Sequence, residues 1–597
     1  MKLLILLSKS YKIVGTIDST NIKNLRNNVS TDEIYPARYC IYYKNIGQYA
    51  LTGDRNEEIK ERQVRRKNIN VVMGGDNFGC GSAREHAAIT FKDAGVEFVF
   101  AKSFNKTFES NCHNNGIYTS TDFAILEKYK EDKGKIKKSI LSKMKGSQEK
   151  ILESGGLFQY NNITTKSHSE GKQKRSKAQN IAEKLISKHC PNKSEDVKVG
   201  DEVPLNVDLR FTYEVFAPLI SELILKNKSS LSEIKDPESI LFFEDHFVLN
   251  RHPQISKLIT TQKKFSKSIH SKLMEYGKKG SGICHTVIVE DYVKPGNVII
   301  GTDSHTGTSG VLNALCIPVG ATQMAKAFLT KQIIFKIPKT IRINLVNKNN
   351  DIMAKDIVLH LFSLPFVQKN RTLGSILEFG GEGLNNMSID EQTVFPNMTA
   401  EAGALTGIVE PNYILKKYMV QNRKEKRLNF TSADNIAKYA ETINIDVSQV
   451  EPMIALPSDP KNVTKLRNVE GTKIDKAFIG SCTGGKWEDL TRAANILEKR
   501  KIKIDLYVHA ASMDLYEKAK KEGIAKIFED AGAKFMKSAC GACIGQGPGS
   551  VKKREKIISA TNRNYRGRMG LGEAYLSNPE VVAASAITGY ITHPKNL

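Results

Sequence analysis

The sequence predicts an α/β protein built from several packed units, and three observations carry that prediction. The chain has 597 residues, enough for about four units at roughly 150 residues each. Hydrophobic residues make up 40% of it, which supports buried cores and excludes a disordered chain. Short apolar runs alternate with glycine-rich turns and helical stretches, as strand–loop–helix–strand units do.

Taken in order, the opening MKLLILLSKSYK has a short apolar core broken by Ser8 and Lys9. It lacks a small-residue cleavage site and reads as a buried first strand, not a signal peptide. No apolar run approaches the roughly 20 residues of a membrane span, so no membrane partner is expected. INVVMGGDNFGCGSAREHAAITFKDAGVEFVFA is the most regular segment of the first unit. It predicts a strand over 69–73, a glycine-rich turn over 74–81, a helix opened by a capping box from Ser82 to Glu85, and a strand over 96–101. Loop N–H groups and the helix N-terminus would face one spot that favours an anion. Alone, Ser82 reads as a plain N-cap, and the glycine spacing is not the dinucleotide fingerprint. Residues 164–179 are polar, charged and without apolar periodicity, and read as a linker. They divide a first unit, 1–163, from a long α/β region, 180–597. No internal repeat is visible.

The net charge is +25, from 89 Lys and Arg against 64 Asp and Glu. Part of the excess lies in residues 128–150 and in the linker. Such a charge suits a nucleic-acid binder or a path for polyanions. No aromatic-plus-basic module is present, so the charge is read as a lysine-rich, solvated surface with no nucleic-acid partner. The nine cysteines are an odd, scattered set, which argues against a disulfide framework and for a reducing, cytoplasmic compartment.

Chemistry-bearing residues recur in Gly/Ser/Thr loops after apparent strands, where open α/β sheets build their sites. FFEDHF places Asp245 beside His246, and SGICHTVIVE places His285 just before a predicted strand. GTDSHTGTSG carries Asp303, Ser304 and His305, and NMTAEAG supplies Asn397 and Glu401. FIGSCTGG puts Cys482 at a strand end, KSACGACIGQGPG carries Cys540 and Cys543, and NRNYRGR carries Asn562, Arg563 and Arg568. Singly, a His beside an Asp is more often a satisfied buried pair, and a lone Cys a small core residue. Together, Cys482, Cys540 and Cys543 make three thiolates, one fewer than a closed metal site takes.

At these residues the chain resembles the aconitase superfamily of aconitase, homoaconitase and isopropylmalate isomerase. GSAREHA, GTDSHT, GSCT, CGACIGQ and NRNYRGR all look like that family's motifs, and the resemblance covers nearly the whole chain apart from the linker. It implies three α/β subdomains around a 4Fe–4S cluster and a separate swivelling α/β domain. Here the swivel-like part, 1–163, comes first, as if the small and large subunits of an isopropylmalate isomerase were joined in reversed order. No separate small subunit would then be needed, and a monomer would suffice. By matching motif, Cys482, Cys540 and Cys543 would hold the cluster and Ser82 would be the general base. His246, oriented by Asp245, would be the acid. His285 with Asp303, and His305 with Glu401, would be the further histidine–carboxylate pairs. Arg84, Arg563 and Arg568 would clamp carboxylates of a small polycarboxylate substrate, with Ser304, Asn397 and Asn562 as lesser contacts. Three departures stand out: Ala83 for a second serine, Tyr213 for a glutamine of fused aconitases, and Gly484 for an asparagine.

The loop STDEIYPARYCIYYKN (30–45) would read the substrate's variable arm. Tyr39 to Tyr42, with Ile41, favour an apolar arm, whereas Lys44 lies about where fused aconitases carry a carboxylate-binding arginine. The resemblance therefore implies an iron–sulfur hydro-lyase of the 3-isopropylmalate dehydratase type, with aconitate hydratase or homoaconitase as alternatives. From another class, RNA binding in the cluster-free state is the rival reading.

Overall fold

The computed structural model of the chain describes residues 1–15, 22–54, 58–81, 84–144, 146–160, 178–191, 197–227 and 230–597. Ser82, Ala83 and all but the last two positions of the expected linker lie outside the described residues.

The first strand forms where the opening apolar run predicts it. Leu3–Leu6 is fully buried in a five-stranded sheet, between Tyr11–Val14, its antiparallel edge, and the parallel strand Val71–Gly74. Phe98–Ala101 and Tyr118–Ser120 complete the sheet in parallel. Its inner strands are near-continuous Val, Ile, Leu and Phe because helices cover both faces.

Residues 180–597 hold three mainly parallel sheets of five, four and seven strands. The first has the order Leu315–Pro318, Val298–Gly301, Leu209–Tyr213, Ile240–Phe243, Lys272–Met274. The second is built from Thr406–Val409, Ile376–Gly380, Thr340–Val346 and Glu441–Asp446, all parallel. The third has seven strands, with Lys476–Ile479 between Lys556–Ser559 and Asp505–His509. Among the described residues, no helix is long and apolar enough to cross a membrane.

Two local expectations are corrected. TVIVE after His285 is not a strand: Cys284–Val287 is a helical turn that runs into a π-turn over Ile288–Tyr292. A short, fully apolar run does not distinguish a strand from a buried helix by periodicity. The helix expected to open at a Ser82–Glu85 capping box instead runs over His86–Ala94 with Glu85 at its N-cap, and Glu85 makes no cap bond there. Its carboxylate is taken by groups of Asn115 and Thr322.

Candidate active site

Adjacent strand ends bring the expected acid–base residues together. Leu209–Tyr213 lies between Val298–Gly301 and Ile240–Phe243, so the segments leaving the three strands meet at one edge. Asp303 is the hub. Its Oδ1 lies 2.9 Å from His285 Nε2 and accepts the backbone N–H of His305 at 2.8 Å. Its Oδ2 lies 3.4 Å from His246 Nε2. Burial opposes its charge, but these three histidines outweigh burial and hold the carboxyl well below the usual range. His246 Nδ1 meets Asp245 Oδ1 at 2.6 Å. Burial disfavours the imidazolium, yet the Asp245 carboxylate more than offsets it and raises the histidine well above its ordinary value. His305 Nε2 reaches Glu401 Oε1 at 3.0 Å, and the same oxygen accepts from Arg563 Nε at 2.6 Å. One buried network thus joins Asp245 to Arg563.

The three cysteines converge beside it. Cys482 follows Lys476–Ile479, and its Sγ accepts from the side-chain amides of Asn397 at 3.1 Å and Asn562 at 3.5 Å. The Asn562 carbonyl oxygen is 3.7 Å from Cys543 Sγ, so one amide lies between two of the sulfurs. Cys540 is fixed by its backbone N–H to the Asp245 carbonyl at 3.0 Å. Ligand atoms of Asp245, His246 and Cys540 lie within 4.8 Å of one another, as do those of His285, Asp303 and His305. Burial pushes the Cys482 and Cys540 thiols up to about 12, so a metal's charge would be what makes them thiolates. Amide donors aimed at Cys482 favour that thiolate. The donor set fits a thiolate-bound metal.

The N-terminal region adds a second cluster. Arg84 Nη2 donates to Asp32 Oδ1 at 2.5 Å, and Nη1 lies 2.9 Å from Cys40 Sγ. Burial would raise the Asp32 carboxyl, but Arg84, Arg568 and Arg563 lower it. Arg563 Nη2 donates to the Gly81 carbonyl at 2.8 Å, tying the two regions at the edge of the Ser82 segment. Among the described residues, Ser304 Oγ, Glu401 Oε2, His285 Nδ1 and Arg568 Nε are buried without a hydrogen bond. Buried polar atoms rarely stay unpaired, and these suit a polar ligand. Of the two arm-reading candidates, Ile41 is buried in the main core. The Lys44 ammonium is largely exposed and lies 3.7 Å from Glu222.

Two of the departures acquire a physical reason. Tyr213 lies flat on the His246 imidazole, with ring centroids 3.9 Å apart and planes 11° from parallel. At Gly484 a Cβ would sit 2.6 Å from the Ala560 Cβ and 2.6 Å from its carbonyl oxygen, so a larger residue would push the Cys482 loop off the neighbouring strand end. Ala83 lies outside the described residues.

Sequence reasoning missed Asp32, Glu214 and Lys355. Glu214 is fully buried and accepts the backbone N–H groups of His246 at 2.9 Å and Phe247 at 2.5 Å, which sets the turn that carries His246. Lys355 Nζ donates to Thr483 Oγ1 at 3.2 Å and to the carbonyls of Ala560 at 3.1 Å and Thr561 at 2.8 Å. It thereby ties the Cys482 loop to the Asn562–Arg563 loop, and burial lowers its ammonium to about 8. Asp32 stood inside the quoted arm loop, and its spacing before Arg84 carried no local signal.

Comparison with known proteins places the chain in a family. The model for the aconitase family (aconitate hydratase) matches residues 243–589, and that for the aconitase C-terminal domain matches residues 16–121. The chain is 36% identical over 428 residues to the methanogen homoaconitase large subunit of Methanocaldococcus jannaschii, covering 69% of this chain and 99% of that protein. It is 35% identical over 423 residues to a probable 3-isopropylmalate dehydratase large subunit of Methanothermobacter thermautotrophicus, covering 70% and 99%. The 3-isopropylmalate dehydratase large subunit of Halothermothrix orenii is 36% identical over 425 residues, again covering 70% and 99%.

Proposed function

The chain belongs to the aconitase family of hydro-lyases, and within it we propose a 3-isopropylmalate dehydratase in which a small-subunit-like region, 1–163, precedes the large region, 180–597. The observation that carries the reading is that Cys540 lies within 4.8 Å of the Asp245–His246 pair, while the Asn562 amide bridges Cys482 and Cys543. Cys482, Cys540 and Cys543 would hold a 4Fe–4S cluster. When bound, the cluster supplies Lewis-acid polarisation of a substrate hydroxyl and carboxylate.

The chain's own residues move the protons. Ser82 takes the proton from the carbon beside a carboxylate. A serine alkoxide is favoured by preorganised N–H donors and cationic side chains. His246 gives its proton to the departing hydroxyl, which leaves as water, and Asp245 on Nδ1 holds the imidazole for that transfer. Rehydration at the adjacent carbon reverses both transfers and restores both groups. Arg84, Arg563 and Arg568 bind carboxylates, while Ser304, Asn397 and Asn562 orient the rest.

The buried Ile41 and the exposed Lys44 support an apolar arm. Similarity to a homoaconitase large subunit supports a second reading, in which the substrate carries a third carboxylate. The test is anaerobic reconstitution with iron and sulfide, followed by parallel absorbance assays on isopropylmaleate, homoaconitate and cis-aconitate. Turnover of isopropylmaleate at least about tenfold above the others is expected. A tenfold preference for either tricarboxylate would overturn the substrate assignment, and a colourless protein with salt-sensitive RNA affinity would overturn the enzyme reading.

A further inference from the structure

Arg84, Glu85 and His86 are consecutive but face different neighbours. Arg84 turns to Asp32 and Cys40 within its own region. Glu85 and His86 cross to the large region. The His86 ring stacks parallel to Tyr35 and lies 5.0 Å, centroid to centroid, from Phe216. The Glu85 carboxylate reaches the start of the helix Ala321–Thr330, where Oε2 accepts the Thr322 backbone N–H at 2.7 Å and Oε1 accepts the Thr322 hydroxyl at 2.5 Å. Oε1 also accepts the Asn115 amide at 2.5 Å, and Glu85 is fully buried.

The helix leaves this place open. Its N-cap is Gly320, which has no side chain to satisfy the first N–H groups. A Cβ on Gly320 would fall 2.2 Å from Asn111 Oδ1 and 2.7 Å from Glu85 Oε2. A residue 237 positions away in the sequence therefore supplies the cap, and the glycine gives it room. Three donors meet two oxygens, an arrangement that suits a carboxylate. A glutamine would have to turn the Thr322 hydroxyl or the Asn115 amide to keep all three bonds.

We propose that Glu85 is a positioning residue whose carboxylate docks the N-terminal region onto the helix Ala321–Thr330 and so fixes Arg84 at the substrate site. The consequence for substrate rests on the reading of Arg84 as a carboxylate ligand; the docking does not. Because Arg84 and Glu85 share a backbone, a population with Glu85 undocked is a population with Arg84 withdrawn. The apparent substrate affinity then falls by the competent fraction.

The test uses the full-length, reconstituted protein with Glu85→Gln, Glu85→Ala and Thr322→Val. KM is expected to rise about tenfold or more in both Glu85 variants, the factor for one lost charged hydrogen bond, with kcat within about threefold of the parent. Solution X-ray scattering without substrate is expected to show a larger radius of gyration with cooperative thermal unfolding retained. Thr322→Val added to Glu85→Ala is expected to add nothing. An unchanged KM with a lowered Tm would make Glu85 a simple helix cap and overturn the proposal, as would multiplicative losses in the double variant. If Glu85→Ala does not fold, Thr322→Val, which removes one donor, is read by the same two measurements. If none of the three substrates is turned over, the scattering still decides the docking, and only the site reading fails.

Discussion

The two regions that surround the site differ in how far the fold has already assembled them. In the large region, Asp245, His246, Asp303, His285, His305, Glu401 and Arg563 form one buried network, each group held by another. The N-terminal region brings a separate buried cluster, Asp32, Cys40 and Arg84, and touches the network through the Gly81 carbonyl on Arg563. Proton transfer tolerates errors of only tenths of an ångström and is built on strand ends of rigid sheets. The arm loop and Arg84, which would read the substrate, belong to the N-terminal region. The difference predicts that damage to the large region removes chemistry, whereas damage to the N-terminal region, Ser82 apart, changes which substrate is taken and how tightly.

The largest expected effect lies with the cysteines. Cys482→Ser, Cys540→Ser and Cys543→Ser should each abolish iron binding and turnover while the fold persists. Iron content and activity are the measurements, and full iron in any one variant would remove that residue from the ligand set.

Next come the proton-handling groups, one in each region. Asp303→Asn leaves three histidines around an amide that can accept from only some of them. A loss in kcat of about 10²–10⁴ is expected, the range for general acid–base groups, with iron retained. Ser82→Ala should lose kcat over the same range. A lowered Tm with normal kcat would return Ser82 to a structural role. If Asp303→Asn raised only KM, the division between a chemical and a recognising region would fail.

What the sequence made legible follows the same division. Strand ends that carry His, Asp and Cys could be read because apolar runs and glycine loops are local signals, and Leu3–Leu6, Val298–Gly301 and Lys476–Ile479 form as those signals require. Residues whose role depends on distant neighbours could not. Lys355 looks like a helix surface lysine until the strand ends at Thr483 and Thr561 close on it. Glu85 fits a capping box in one dimension, yet in three dimensions the nearest orphan N–H belongs to another helix. Glu214 binds backbone groups of the next strand end and leaves no side-chain pattern.

The smallest effects test the recognising region alone. Ile41→Arg should reduce isopropylmaleate turnover more than tenfold relative to a tricarboxylate. Burying a Val-sized group is worth roughly 2 kcal/mol, and an arginine facing it would forfeit that and stay buried without a carboxylate. Lys44→Ala should be nearly silent, since its ammonium is mostly in solvent and its contact with Glu222 is 3.7 Å; exposed pairs of this kind contribute about 0–1 kcal/mol. The decisive measurement is kcat/KM for isopropylmaleate and cis-aconitate in both variants. If Lys44→Ala abolished cis-aconitate turnover while Ile41→Arg changed little, the ammonium would be the anchor for a third carboxylate. The arm loop would then have to swing Lys44 off Glu222 and into the site on binding, and the chain would act as an aconitase.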